Sequence, residues 1–142
     1  MRNLFLIAAS ACLASACTHV PLNSPRPACP TAAQMEQPEL LGRWQAEVQG
    51  QPGPITLELG PHPEWNGTVK GEIRRPGGSA IVVGDVDKGV LSMEESSDGK
   101  RTTGSWSGDV VEGSCAREVR GEWTDQNDRS HRFTLRKAPP GR

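Results

Sequence analysis

The sequence predicts an all-β protein, a single small antiparallel up-and-down β-barrel of about eight strands. Turn-forming residues are frequent: 16 of the 142 residues are Gly and 12 are Pro, and clusters of Gly, Pro, Asn and Asp punctuate the chain at short intervals. Helical periodicity is absent after residue 38. Apolar and polar residues alternate instead, with Ile55, Leu57 and Leu59 on one face and Thr56 and Glu58 on the other.

Composition and charge exclude several classes of protein. The 16 Lys and Arg residues are balanced by 17 Asp and Glu residues, so the formal net charge of -1 gives no concentrated basic surface for nucleic acid. Hydrophobic residues make up only 35% of the chain and aromatic residues 4%. This is inconsistent with a polytopic membrane protein, a coiled coil or a long helical bundle. The length predicts one domain with a modest core.

The first element is a predicted signal peptide at residues 1–16. A short basic start at residues 1–3 is followed by residues 4–14, which are apolar or small and carry no charge. This run is shorter than the roughly 20 residues that a membrane-spanning helix needs, and it suits the apolar region of a secretory signal.

The end of this segment, Leu13-Ala14-Ser15-Ala16-Cys17, resembles the lipobox of bacterial lipoproteins. The resemblance implies that Cys17 is diacylated, becomes the first mature residue and carries palmitate or a similar acyl chain. Thr18 rather than Asp follows the cysteine, and in Gram-negative lipoproteins this pattern implies the outer membrane. Cys12 is a rival acceptor, and plain secretion with cleavage near Ala16 is the other alternative.

Residues 17–39 are predicted to form a lipidated, Pro-rich tether and a short helix. Residues 18–30 contain four prolines, and Pro-rich segments stay extended, so this stretch would span about 30–40 Å as a spacer. The alternative is a disordered leader. Thr31 and Gln34 match a capping box, and Pro38 is expected to limit the helix to about two turns.

Two cysteines remain after the predicted cleavage and lipidation, Cys29 and Cys115. In an exported chain, such a pair is most simply a disulfide. The alternative is a metal or redox pair, but neither cysteine lies in a CxxC motif and the three histidines are scattered. We predict no metal site and no cofactor.

Residues 40–137 are predicted to form the barrel domain, and residues 138–142 a C-terminal tail. Short, turn-rich connections favour antiparallel neighbours, and closure would leave no exposed edge strand. The predicted strands are 42–48, 54–59, 67–74, 79–86, 90–95, 102–111, 115–124 and 131–137.

Five of these strands place a small residue between two large ones on the face expected to point inwards. Two interpretations are open: the small residues curve the strands and fill a narrow barrel, or they leave a hollow for a small apolar ligand. The candidate cavity-lining residues are Trp44, Ala46, Gly71, Gly84, Trp106, Gly108, Gly121 and Trp123.

The fourth tryptophan, Trp65, lies in a loop between two predicted strands. An exposed Trp is a candidate contact for a protein partner, because Trp is enriched at binding hot spots. The alternative is a ring folded over one end of the barrel.

Two short stretches resemble calycin barrels. Leu41-Gly42-Arg43-Trp44 is similar to the Gly-x-Trp that begins lipocalins, and residues 103–108 are similar to a strand of avidin-type barrels. The resemblance implies a calycin-like fold. It does not extend to biotin binding, because an avidin-type site would use a tyrosine hydroxyl and the chain contains no Tyr.

The sequence contains no Gly-x-Ser-x-Gly elbow, phosphate loop or nucleotide fingerprint, so we predict that the chain is not an enzyme. The predicted function is that of a lipid-anchored lipoprotein of the bacterial envelope, acting as an interaction or accessory module. Its predicted partners are the membrane, through the N-terminal lipid, and another envelope protein. The alternative is a lipocalin-like carrier that binds a small apolar ligand inside the barrel.

Overall fold

The computed structural model describes residues 28–140. The predicted signal peptide, the lipidation site Cys17 and most of the Pro-rich tether lie outside the described residues. No helix in the described part of the chain is long and apolar enough to cross a bilayer. The described elements are a 3₁₀ turn (Ala32–Gln34), α1 (Gln37–Leu40), β1 (Gly42–Val48), β2 (Ile55–Pro61), β3 (Val69–Arg75), β4 (Gly78–Asp87), β5 (Val90–Ser96), β6 (Gly104–Val110), β7 (Glu118–Asp125) and β8 (Ser130–Lys137).

The eight strands form one closed barrel in sequence order, so the predicted fold class is confirmed. Each strand pairs antiparallel with the next, and β1 closes the barrel against β8. In this closing pair Trp44 lies opposite Lys137, and on its other side Trp44 lies opposite Leu57. Closure satisfies the backbone of every strand on both sides and leaves no free edge.

Two local differences from the sequence prediction have clear causes. The single short helix is divided into a 3₁₀ turn and α1, because Pro38 occupies the first turn of α1 and so begins a helix rather than ending one. The seventh strand begins at Glu118 rather than Cys115, because Cys115 and Ala116 both have left-handed backbone angles, with φ of 57° and 56°.

The N-terminal segment, residues 29–41, covers one end of the barrel, which we call the covered end. Met35 and Leu40 are buried there. The carbonyl oxygen of Leu40 accepts a hydrogen bond of 2.8 Å from the indole N–H of Trp44. The ammonium of Lys137 lies over the Trp44 ring and contacts the carbonyl of Glu39. The opposite end, called the loop end, carries the β1–β2, β3–β4, β5–β6 and β7–β8 connections.

The core is formed by alternate residues of every strand. In β6 the alternation is complete, since the first, third, fifth and seventh residues of the strand are buried and the three between them are exposed. The three inward tryptophans and Ala46 all lie in this core. Burying such side chains is the main favourable term in folding, at about 25 cal/mol per Å² of apolar surface.

An ion pair between a partly buried Arg and a buried Glu lies at the loop end of the core. Glu95 is only 2% exposed, and its carboxylate accepts two hydrogen bonds from Arg75, of 3.0 and 2.8 Å. The indole N–H of Trp106 donates a third, of 3.1 Å. The Arg75 guanidinium also lies 5.3 Å from the centre of the Trp123 ring. The pair therefore joins β3 to β5 and holds two core tryptophans.

Four glycines of the predicted inner face contact the backbone of neighbouring strands. A Cβ atom at Gly71 would overlap the Glu58 carbonyl, and one at Gly121 would overlap the Ser107 carbonyl. Gly84 and Gly108 are similarly crowded by the strands beside them. These contacts favour the interpretation that the glycines allow close, strongly coiled packing of the wall.

Replacing Gly121 with Ala should lower the free energy of unfolding by about 2 kcal/mol, because the new methyl group must displace backbone atoms of β6. Gly78→Ala is the matched control, since nothing lies within 4 Å of a Cβ atom at that position. Urea unfolding measures both variants. Equal stabilities for the two would contradict the packing role of Gly121.

Candidate functional site

Trp65 is exposed on the barrel surface and does not fold over the end of the barrel. Its exposed fraction of 57% exceeds that of Ile81 and Val90, the other exposed large hydrophobic residues within 28–140. It lies in the connection between β2 and β3, at residues 62–68. The backbone N–H of His62 donates a hydrogen bond of 2.9 Å to the Thr68 carbonyl, which closes the base of this loop.

The loop holds the Trp65 ring in one orientation. The imidazole of His62 stacks on the indole, with ring centres 4.2 Å apart and planes within 5° of parallel. The Nδ1 atom of His62 accepts hydrogen bonds of 3.1 Å from the backbone N–H groups of Glu64 and Trp65. A ring that is already ordered loses little conformational entropy when a partner covers it.

Two further apolar side chains extend this surface across the barrel wall. Ile81 and Val83 project outwards from β4, because Val82 between them is fully buried. Ile81 is 42% exposed and Val83 is half-buried. Both help to line a groove of about 350 Å³ that also contains Trp65. We call His62, Trp65, Ile81 and Val83 the Trp65 patch.

The rim of the groove carries charges of both signs. Lys70 and Lys100 line it, as do Glu64 and Glu94, and none of the four has an ion-pair partner among residues 28–140. A partner can therefore complement both signs, and such complementarity fixes the orientation of docking.

The loop that carries Lys100 is ordered by Asp98. Hydrogen bonds from the backbone N–H groups of Arg101 and Lys100 hold the pKa of the Asp98 carboxyl well below its ordinary value. The carboxylate thus stays charged through the neutral and mildly acidic range. Its hydrogen bonds to the backbone shape the turn that carries Lys100 beside the groove.

The other residues predicted from the sequence lie elsewhere. Cys29 and Cys115 form a disulfide at the covered end, with Cα atoms 4.8 Å apart. Cys17 lies outside the described residues. The eight candidate cavity-lining residues are on the inner side of the wall, so the structure does not bring them together with Trp65.

Sequence reasoning missed the outward apolar pair, although a signal for it was present. Once Val82 and Gly84 are placed inwards, alternation puts Ile81 and Val83 on the outer face.

Sequence reasoning also missed the Arg75–Glu95 pair. Glu95 follows Leu91 and Met93 at the strand period, which places its side chain inside the barrel.

Among the described residues, no three His, Cys, Asp or Glu side chains are grouped closely enough to hold a metal ion. No protein-family model matches the chain, and no curated protein matches it.

Proposed function

We propose that this chain is a lipid-anchored lipoprotein of the bacterial envelope, attached through Cys17 to the outer membrane. In this proposal the barrel is a non-catalytic interaction module that docks another envelope protein through the Trp65 patch. The proposal rests mainly on one observation, the exposed Trp65 ring that stacks on His62 beside outward-facing apolar side chains.

The energetics of docking favour such a ring. Large, ordered aromatic side chains contribute most of the affinity in many interfaces, often 2 kcal/mol or more each. Ile81 and Val83 add apolar area next to the ring, and the charged rim surrounds them. A central apolar anchor with a polar rim is the usual anatomy of a protein interface.

The position of the disulfide is compatible with an anchored barrel. Cys29 is bonded to Cys115 at the covered end, so a tether that begins at Cys17 would reach the barrel there. The β2–β3 connection that carries Trp65 belongs to the same end, whereas Ile81 and Val83 lie on the outer face of the wall beside it. Two or three acyl chains hold a protein on a membrane stably, since each buried CH₂ contributes about 0.8 kcal/mol.

The alternative carrier function has less support. A small apolar ligand inside the barrel would need space beside the inner-face glycines. At Gly71 and Gly121 that space is occupied by the backbone of the neighbouring strands.

We expect the mature protein to begin at an acylated Cys17. Mass spectrometry of the membrane-extracted protein measures this directly, as a mass that corresponds to residues 17–142 plus the lipid. Cys17→Ser should abolish acylation, whereas Cys12→Ser should leave the mature mass unchanged. A mature chain that starts at another residue and carries no fatty acid would refute the anchor.

We expect Trp65→Ala to weaken binding to the docking partner about 30-fold, equivalent to about 2 kcal/mol. The partner is first identified by a photo-crosslinking amino acid at position 65 in living cells. The same amino acid at Arg132 is the control, because β8 lies opposite β4 in the barrel. The affinity of the purified partner is then measured for each variant.

The melting temperature of Trp65→Ala should match that of the unmodified protein, because the ring is largely exposed. A loss of affinity without a loss of stability would therefore assign the ring to docking. Equal crosslinking from positions 65 and 132, or an unchanged affinity for Trp65→Ala, would overturn the proposed interface.

A further inference from the structure

The loop end of the barrel contains a polar cavity of about 240 Å³, separate in chemistry from the Trp65 patch. It opens between the connections that follow β3, β5 and β7. The cavity is lined by Arg75, Glu95, Ser97, Thr103, Trp123, Asp125, Gln126, Asn127 and Arg129.

Two buried N–H groups of this lining have no acceptor among the described residues. One is the indole Nε1 of Trp123, a side chain that is only 4% exposed, and the other is the Nε of Arg75. Buried donors are nearly always paired, because an unpaired one costs about 1–3 kcal/mol. Both unpaired groups are hydrogen-bond donors, so each requires an acceptor atom such as an oxygen.

The charged groups of the cavity are already paired with one another but keep donors to spare. Arg75 binds Glu95, and Arg129 binds Asp125 with an N–O distance of 2.8 Å. A guanidinium has five N–H groups, and each arginine uses only some of them in these pairs. Neither carboxylate is left without a donor.

Asp125 stays charged and keeps Arg129 in place. Burial acts to raise the pKa of Asp125, but hydrogen bonds from the Arg129 side chain and from the backbone N–H groups of Arg129 and Asn127 outweigh it and lower the pKa to about 2. Arg129 therefore keeps a charged partner at the rim, on the side of the cavity formed by the β7–β8 connection.

We propose that this cavity is a binding site for a small molecule bearing a carboxylate, which accepts hydrogen bonds from Arg75, Arg129 and the Trp123 indole. Charge-assisted hydrogen bonds from arginine to a carboxylate are about twice as strong as neutral ones. Arg75 keeps 22% of its side-chain surface exposed, and Arg75, Arg129 and Trp123 all line the cavity. The site does not depend on the proposed docking function.

The test uses the purified full-length protein in detergent and succinate as the probe. The indole N–H signals of the four tryptophans are followed by ¹H–¹⁵N NMR during a succinate titration. The Trp123 signal should shift in a saturable manner. The Trp44 signal should not move, because its N–H donates to Leu40 at the covered end.

Arg129→Gln should raise the succinate dissociation constant about ten-fold, because it removes a charge-assisted hydrogen bond. Its side chain is 68% exposed, so the fold should persist. Trp123→Phe removes the indole donor and should also weaken binding. Arg132→Gln, an exposed arginine of β8 outside the cavity, is the matched control and should bind as the unmodified protein does.

Succinamide has the same size as succinate but no charge, and it should bind much more weakly. An equal response to succinamide would overturn the assignment to carboxylates. Absence of any shift of the Trp123 signal at tens of millimolar succinate would overturn the site itself. Loss of binding in Arg132→Gln to the same extent as in Arg129→Gln would also contradict it.

Discussion

Replacing both Cys29 and Cys115 with serine should lower the free energy of unfolding by about 4 kcal/mol. The disulfide joins residues 86 positions apart, and closing a loop of this length removes much of the entropy of the unfolded chain. The bond also holds the N-terminal segment, which contains the buried Met35 and Leu40, against the β6–β7 connection. Urea unfolding of the double variant measures the loss.

Reduction of the unmodified protein with dithiothreitol is the control for this experiment, and it should reproduce the stability of the double-serine variant. Agreement between the two would exclude an effect of the serine hydroxyls themselves. A stability within 1 kcal/mol of the oxidised protein would show that the covered end holds without the bond, contrary to the expectation from loop length.

Arg75→Ala should destabilise the protein by about 3 kcal/mol, because it leaves the Glu95 carboxylate buried without its counter-ion. This loss of stability is at the lower end of the range for breaking a buried ion pair, since part of the Arg75 side chain is exposed to water. Chemical unfolding at neutral pH measures it. The expected loss exceeds that for nearly any exposed ion pair.

Arg43→Ala is the matched control. Arg43 pairs with Glu58 at 2.9 Å, but both side chains are more than half exposed, so the loss should be below about 1 kcal/mol. A second variant, Arg75→Met with Glu95→Gln, removes both charges and should recover at least half of the loss. Failure of this double variant to recover any stability would show that the cost of Arg75→Ala is lost packing rather than an unpaired charge.

The strands and their closure could be predicted because local rules decide them. Alternation, as in Ile55 to Leu59, places each strand, and short turns force antiparallel neighbours. The predicted boundaries of the elements were wrong where one sequence signal is compatible with two local structures. Pro38 can end a helix or occupy its first turn; the structure has the second arrangement, with Leu40 of the same helix buried in the core.

The candidate site was predictable only in part, because contacts between strands depend on register. Trp65 could be singled out by its place in a loop between two strands. The pairing of Arg75 with Glu95 could not, since it requires β3 and β5 to bring side chains together across β4. The stack of His62 on Trp65 depends likewise on loop geometry that no strand period encodes.

The even number of strands has a practical consequence for anyone engineering this molecule. The described chain enters the barrel at Gly42 and leaves it at Lys137, and both positions lie at the same end. A fluorescent protein joined beyond Lys137 would therefore be attached at the covered end, where Cys29 lies. A short epitope inserted between Asp125 and Ser130 would be displayed at the loop end. Comparing antibody access to the fused protein and to the epitope would report the orientation of the barrel on intact cells.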